Sequence, residues 1–344
     1  IFKHAFVTLF ILFLVACSTK KDTFLARNSH ALSTRDNILY NGQIALDKGV
    51  ISINSSTKDN FWKRLPIERM QIIDDSSPEG VSKNPDFEKA EEKATKAIQK
   101  HSMYIDGQEK NYQIDEAYLL LGKARYYDQR FFPALEAFNY ILYKYPTSSN
   151  INPAKIWREK TNMRLGNDAQ VLKNIEKLLK EKKLKPQVVA DANALLAESF
   201  LNLEEKDSAI AKLKIAEKNT KINFEKTRYR FILGQLYQEL GIRDTALSYY
   251  QGVIDMNRKA DREYIIQAYA KRAQLFDFEN GDSDAFVKRY NKLIADRENR
   301  PFEGILFYEM GVFYDKYKDQ ELAKEFYNAS IKSKSSDPYL TASS

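Results

Sequence analysis

Apolar positions recur along most of this chain three and four residues apart, the spacing of one face of a helix, and they do so inside a longer pattern that repeats. A small residue follows leucine or methionine in Leu121-Gly122, Leu196-Ala197, Leu233-Gly234 and Met310-Gly311. Twelve positions after each small residue stands an alanine: Ala134, Ala209, Ala246 and Ala323. Four positions further stand Phe138, Leu213, Tyr250 and Tyr327. Three positions after the small residue an aromatic stands in three of the four, as Phe200, Tyr237 and Tyr314, with Arg125 the exception. Glycine inside a helix costs about 1 kcal/mol relative to alanine. Its recurrence at one register therefore predicts a close helix–helix contact, completed by the alanine and wedged by the large residue one turn later.

This pattern resembles the tetratricopeptide repeat (TPR), a helix-turn-helix unit of about 34 residues. The expected fold is an all-α TPR solenoid, with repeats starting near Asp115, Ala190, Thr227 and Gly304. Two weaker repeats lie between. One runs from Asn152, turns at Leu165-Gly166 and places Val171, Ile175 and Leu178 on its second helix; it keeps the turn and loses the small-residue contact. The other, over 260–300 with Tyr269, Phe276, Tyr290 and Leu293, keeps only the periodicity. Asp207 and Asp244 read as N-caps of second helices, and Pro146 closes the repeat begun at Asp115. The array is expected over 113–337, and 338–344 opens one more first helix that continues past Ser344.

The N-terminal portion is more divergent. Residues 33–49, with Ile38, Ile44, Ala45 and Leu46, have the character of a first helix. Residues 85–101, with proline leading and alanines at 90, 94 and 97, have that of a second. They form one helix pair within 33–112, split by an insertion over 50–84. That insertion carries FWKRLP, whose Phe61 and Trp62 have two readings: an exposed docking patch, or, more simply, a fold-back that caps the open end of the array.

The first residues are an address. The apolar run over 5–16 is twelve residues long, whereas a spanning helix needs about 20. Lys3 and His4 precede it, and Leu14-Val15-Ala16 leads into Cys17, the one cysteine in 344 residues. This is the layout of a lipoprotein signal peptide over 1–16, with Cys17 as the site of lipid attachment and 17–32 as a lipidated tether. One acyl chain anchors marginally and two or more hold stably. With a lone cysteine there is no disulfide to form, and the covalent lipid stands in place of any cofactor.

Composition fits a folded exported scaffold, with 43% hydrophobic and 29% charged residues and only 12 Gly and 9 Pro. The net charge of +7 arises from 54 basic and 47 acidic residues, so the charges are interspersed. The densest basic stretch, 172–187, reads as the wet face of an amphipathic helix. No nucleic-acid module is evident. Three histidines, His4, His30 and His101, lie far apart in sequence and suggest no metal cluster or nucleophile pair, and there is no phosphate-binding glycine loop. Neither an enzyme nor a small-molecule substrate is expected.

A solenoid binds on its concave face. First helices should present Leu119, Lys123 and Tyr126, then Ile156, Lys160 and Met163, then Phe231, Gln235 and Gln238, then Tyr308, Val312 and Asp315. This mixed surface is the candidate protein-binding face. Leu119 with Lys123 departs from the lysine and asparagine pattern of repeats that clamp chaperone carboxylates.

The stretch CSTKKDTFLARNSHALSTRDNILYNGQIALDKGV, followed by FWKRLPIERM and the repeats, resembles the amino-terminal part of the SprE/PorW-type lipoproteins of Bacteroidetes. That resemblance implies an outer-membrane lipoprotein facing the periplasm, required for type IX secretion and gliding motility. It would couple the translocon to ring and motor proteins of the envelope, and its partners would be proteins of that complex. Ser18, Thr19, Lys20 and Lys21 after the cysteine lack the acidic residues that accompany surface display in this phylum. Two rival readings remain, a BamD-like outer-membrane assembly lipoprotein and a SusD-like glycan-binding lipoprotein.

Overall fold

A computed structural model describes residues 18–70 and 84–333, together with Leu340. The expected signal peptide, Cys17, part of the insertion and all of 338–344 except Leu340 lie outside these residues. The protein is all-α, with helices packed in sequence-adjacent pairs and a short β-hairpin pairing Tyr104–Ile105 with Gln108–Glu109. It divides into two compact units. The first comprises the described residues up to Lys58 together with Arg69–Leu184; the second comprises Asp59–Glu68 and the described residues from Lys185 onward. The boundary between the units falls after residue 184, within the range 113–337.

In the first unit, α1 (Phe24–Leu32) runs through a π-helical stretch (Ser33–Leu39) into α2 (Tyr40–Ser56), which packs on α3 (Pro85–His101). The pairs α4 (Ile114–Tyr127) with α5 (Phe131–Lys144) and α6 (Ile151–Arg164) with α7 (Asp168–Leu179) follow. In the second unit the pairs are α8 (Pro186–Asn202) with α9 (Lys206–Asn219) and α10 (Asn223–Glu239) with α11 (Arg243–Ile254). Next come α12 (Arg262–Gln274) with α13 (Ser283–Ala295) and α14 (Glu303–Lys316) with α15 (Gln320–Lys332).

Five of the turns within pairs close identically. In each, an N–H donates to the carbonyl five positions before it: the N–H groups of Arg130, Asn167, Glu205, Ile242 and Asp319 donate to the carbonyls of Arg125, Asn162, Phe200, Tyr237 and Tyr314 at 2.8–3.0 Å. The residue before each donor is left-handed: Gln129, Gly166, Glu204, Gly241 and Lys318, with φ between 58° and 77°. This is the Schellman closure, in which a positive φ lets the chain reverse and satisfies two orphan carbonyls. Register is therefore fixed in α6 too, where Glu159 takes the place of the small residue. The positions Gly122, Glu159, Ala197 and Gly234 are separated by 37, 38 and 37 residues (159−122, 197−159, 234−197).

The small residue acts differently from the expectation. A Cβ on Gly234 would lie 2.6 Å from Cε1 of Tyr250, and one on Gly311 would lie 2.7 Å from Cδ1 of Tyr327; Gly122 meets Phe138 in the same way. The glycine therefore makes room for the ring sixteen positions on, rather than for close backbone approach. Where the small residue is Ala197, its partner is the smaller Leu213, and both are fully buried. The aromatic three positions on also has a partner: Tyr237 stacks on Tyr249 and Tyr314 on Phe326. Arg125 breaks that pattern because it binds Glu91 of α3 at 2.9 Å. Burial pushes the Glu91 carboxyl up, but Arg130 and Arg125 together hold it below the usual carboxylate range.

The divergent pair obeys the same rule, since a Cβ on Gly49 would run into the ring of Phe87. Its second helix occupies Pro85–His101 as expected. Two boundaries differ. The first helix continues to Ser56, so the insertion begins at Thr57 rather than at residue 50. The stretch read as a tether is helical from Phe24, capped by Thr23, because Ala26, His30 and Ala31 are buried. Asp207 and Asp244 are not N-caps. Glu205 and Ile242 hold those positions, and the two aspartates lie in the first turn, where the helix dipole favours acids. Side-chain capping is instead done by Thr23, Asn84, Asp282 and Asp319.

Candidate functional site

The first helices of the second unit carry a line of side chains that hold a non-helical peptide, the chain's own Asp59–Glu68, which turns at 60–63 through a hydrogen bond from the Lys63 N–H to the Asn60 carbonyl. On α10, Arg228, Phe231, Gln235 and Glu239 are spaced three and four apart and so share one face. Arg228 and Phe231 are buried. The Gln235 amide grips the peptide backbone twice: Nε2 donates to the Lys63 carbonyl at 2.8 Å, and Oε1 accepts from the Leu65 N–H at 3.0 Å. Glu198 of α8 accepts from the Ile67 N–H at 2.8 Å. Arg228 Nε donates to the carbonyls of Pro66 and Ile67 at 2.9 and 3.2 Å.

Side chains of the peptide are bound as well. Phe61 is 4% exposed and sits edge-on to Phe231 and Tyr264, with ring centroids 5.3 and 5.2 Å apart. Trp62 sits edge-on to Tyr308 at 5.4 Å. Leu65 and Ile67 are buried in the same core cluster. Asp59 meets Arg228 Nη1 and receives the Tyr264 hydroxyl at 2.8 Å. The guanidinium pays a desolvation cost, yet Tyr264 and Asp59 beside it raise its affinity for the proton above the ordinary arginine value. At the other edge Arg64 pairs with Glu239 at 2.8 Å, and Lys206 shares that carboxylate.

Of the expected face, Met163 is buried, Gln238 is half-buried and Asp315 is exposed. Phe231, Gln235 and Tyr308 do meet a bound segment, but an internal one. In the first unit Leu119 and Tyr126 are buried in a cluster with Met70 and Phe138, and Ile156 is buried as well. These positions are covered rather than open. Lys123 and Lys160 are half-buried with their ammonium groups 5.5 and 4.6 Å from the Trp157 ring centroid. Val312 is half-buried. Phe61 and Trp62 form neither an exposed patch nor an end cap; they are inserted along the face.

Arg228, Glu198 and Tyr264 were not anticipated. Glu198 follows Ala197 as Gln235 follows Gly234, so the repeat register alone points to it. Nothing in the sequence marks Arg228, which lies outside the three positions considered on each first helix.

Two buried polar groupings lie elsewhere. In the second unit Glu309 is 1% exposed, accepts from Gln274 at 2.7 Å and neighbours Lys271. Burial drives its carboxyl up to about 7, against the opposing pull of Gln274 and Lys271. In the first unit the fold joins the two histidines that the sequence separates: Nδ1 of His30 and Nδ1 of His101 are 2.9 Å apart. Among the described residues no three metal-binding side chains converge, and no helix is long and apolar enough to cross a membrane. An open polar cavity of about 730 Å³ lies between the β-hairpin and the loop after α5. Its acids are engaged locally, Glu109 by Ser102 and the backbone, Asp115 and Glu116 by Asn150. Comparison of the chain with protein-family models and with curated protein sequences gives no match to either.

Proposed function

We propose that the protein is a binding scaffold built on tetratricopeptide-type repeats, with non-helical protein segments as its ligands. The observation that carries this reading is Gln235, whose amide hydrogen-bonds one peptide carbonyl and one peptide N–H. Such a grip reads backbone, as strand-recognising proteins do, and leaves side-chain pockets to set specificity. The helix-turn-helix pairs and the Schellman turns support the repeat class, although the 37–38-residue spacing is longer than the usual 34 or so. No catalytic role is assigned.

The cellular setting is argued from sequence. Leu14 to Cys17 and the resemblance to SprE/PorW-type lipoproteins support an outer-membrane lipoprotein facing the periplasm, which joins the type IX translocon to envelope ring or motor proteins. Because the helix starts at Phe24 and Asp22 pairs with Arg27 and Lys110, the stretch from Ser18 to Asp22 spans at most about 18 Å. The first helices then work near the inner face of the membrane. In-cell crosslinking with mass spectrometry tests the proposal, together with a deletion strain. The expected result is crosslinks to secretion or motility proteins and loss of type IX export with barrel assembly intact. General loss of barrel proteins favours the assembly-factor reading, and normal export with oligosaccharide crosslinks favours the glycan reading.

A further inference from the structure

We propose that the groove of the second unit is an exchangeable peptide site held in a self-occupied state by Asp59–Glu68. Its external ligand is a short non-helical protein segment of the same chemistry: an acidic residue, an aromatic two positions on, and Leu-Pro-aliphatic beginning four positions after the aromatic. The inference rests on the scaffold reading above and names the ligand class of one face.

Four observations carry it. The segment is held at two successive first helices, α8 and α10, through side chains that address its backbone, namely Glu198, Arg228 and Gln235. None of these contacts requires that the segment belong to the same chain. The segment departs from the surrounding architecture: it is a non-helical decapeptide within a helical unit, and both of its ends continue into chain that belongs to the other unit. The bound side chains occupy discrete sites, Phe61 between Phe231 and Tyr264, Trp62 on Tyr308, Asp59 on Arg228. Finally, the acid site is incompletely used, since Arg228 Nη2 is buried and makes no hydrogen bond to the described residues. Asp59 engages Nη1 alone among the terminal nitrogens, so a ligand carboxylate placed to reach both would satisfy a donor that the resident leaves unmet.

A tethered resident competes at an effective concentration in the millimolar range. It therefore masks the groove from weak external segments and admits only a ligand that binds well or arrives at high local concentration.

The test uses the full chain with 59–68 replaced by a Gly/Ser linker of equal length and a fluorescent peptide DNFWKRLPIE. The expected result is 1:1 binding to the linker variant, at least about tenfold weaker binding to the wild type because the resident competes, and loss of binding when Arg228→Ala is added. A linker variant that melts cooperatively but binds no peptide at millimolar concentration overturns the proposal. If the linker variant does not fold, the wild-type chain is nicked at protease sites engineered on both sides of the segment. Exchange of the retained fragment for labelled peptide, seen by native mass spectrometry, supports the site. A fragment that leaves only when the protein unfolds shows a permanent core strand and overturns it. Neither negative result bears on the crosslinking test, which reads partners on any face, and absent crosslinks do not bear on peptide exchange.

Discussion

Arg228 and Asp59 stand 169 positions apart in the chain, yet Nη1 of one lies 3.0 and 2.9 Å from the two carboxylate oxygens of the other, with both side chains at most 3% exposed. A buried pair of this kind contributes little net stability relative to an apolar replacement, but removing one partner strands a charge at a cost of about 3–5 kcal/mol. The pair joins Asp59 of the inserted segment to Arg228 on α10.

Arg228→Met should therefore destabilise the second unit by about 3–5 kcal/mol, whereas Arg228→Met combined with Asp59→Leu should recover most of the loss. The two tryptophans make this measurable, because Trp62 lies in the second unit and Trp157 in the first. In a Trp157→Phe background, urea unfolding followed by Trp62 fluorescence reads the second unit. A double variant no more stable than the single one would refute the account.

The glycine–ring contact predicts a reversal of the usual substitution rule. Gly252→Ala, with its nearest neighbour Arg230 at 3.7 Å, should raise stability by up to about 1 kcal/mol through helix propensity. Gly234→Ala drives a methyl into Tyr250 and should lower it by about 1–3 kcal/mol. Adding Tyr250→Leu should rescue part of that loss, since it recreates the Ala197–Leu213 combination. Thermal melts of the three variants decide the matter.

Glu309 sets a pH dependence in the second unit. Its carboxyl takes up a proton at about 7 when folded, against an ordinary 4.5, so the folded state binds the proton more tightly. Stability from this group is present below 4.5 and is lost as pH rises through 7, by an amount on the order of 3 kcal/mol. Glu309→Gln keeps an acceptor for Gln274 and should flatten urea midpoints between pH 5 and pH 8.

His101 produces the opposite slope in the first unit. Burial, then His30, then Lys100 and Lys96 hold its pKa below the ordinary 6.5. The unfolded chain takes the proton first, so stability is full above 6.5 and falls as pH drops below it. With both rings protonated, two donors would face each other across 2.9 Å. His101→Leu should remove this acid sensitivity, read from Trp157 fluorescence in a Trp62→Phe background.

The lipid-anchor proposal has a direct check. Cys17→Ala should abolish incorporation of labelled fatty acid and move the protein from the membrane fraction to the soluble one. Equal labelling of variant and wild type would remove the anchor from the account.

What the sequence by itself determined is local. Periodicity predicted helix pairs at the right places, Pro85 opened its helix where expected, and the repeating Gly122, Gly234 and Gly311 marked a contact between paired helices. These features are legible because paired helices are neighbours along the chain, and a helical period of 3.6 residues prints each buried face onto the sequence. The tertiary structure alone decided three things: that the glycines face rings, that His30 meets His101, and that FWKRLP lies along first helices more than 160 positions away. A non-helical segment has no period to betray its partner. Its contacts with Arg228 and Gln235 depend on long-range chain closure, which leaves no spacing in the sequence to read.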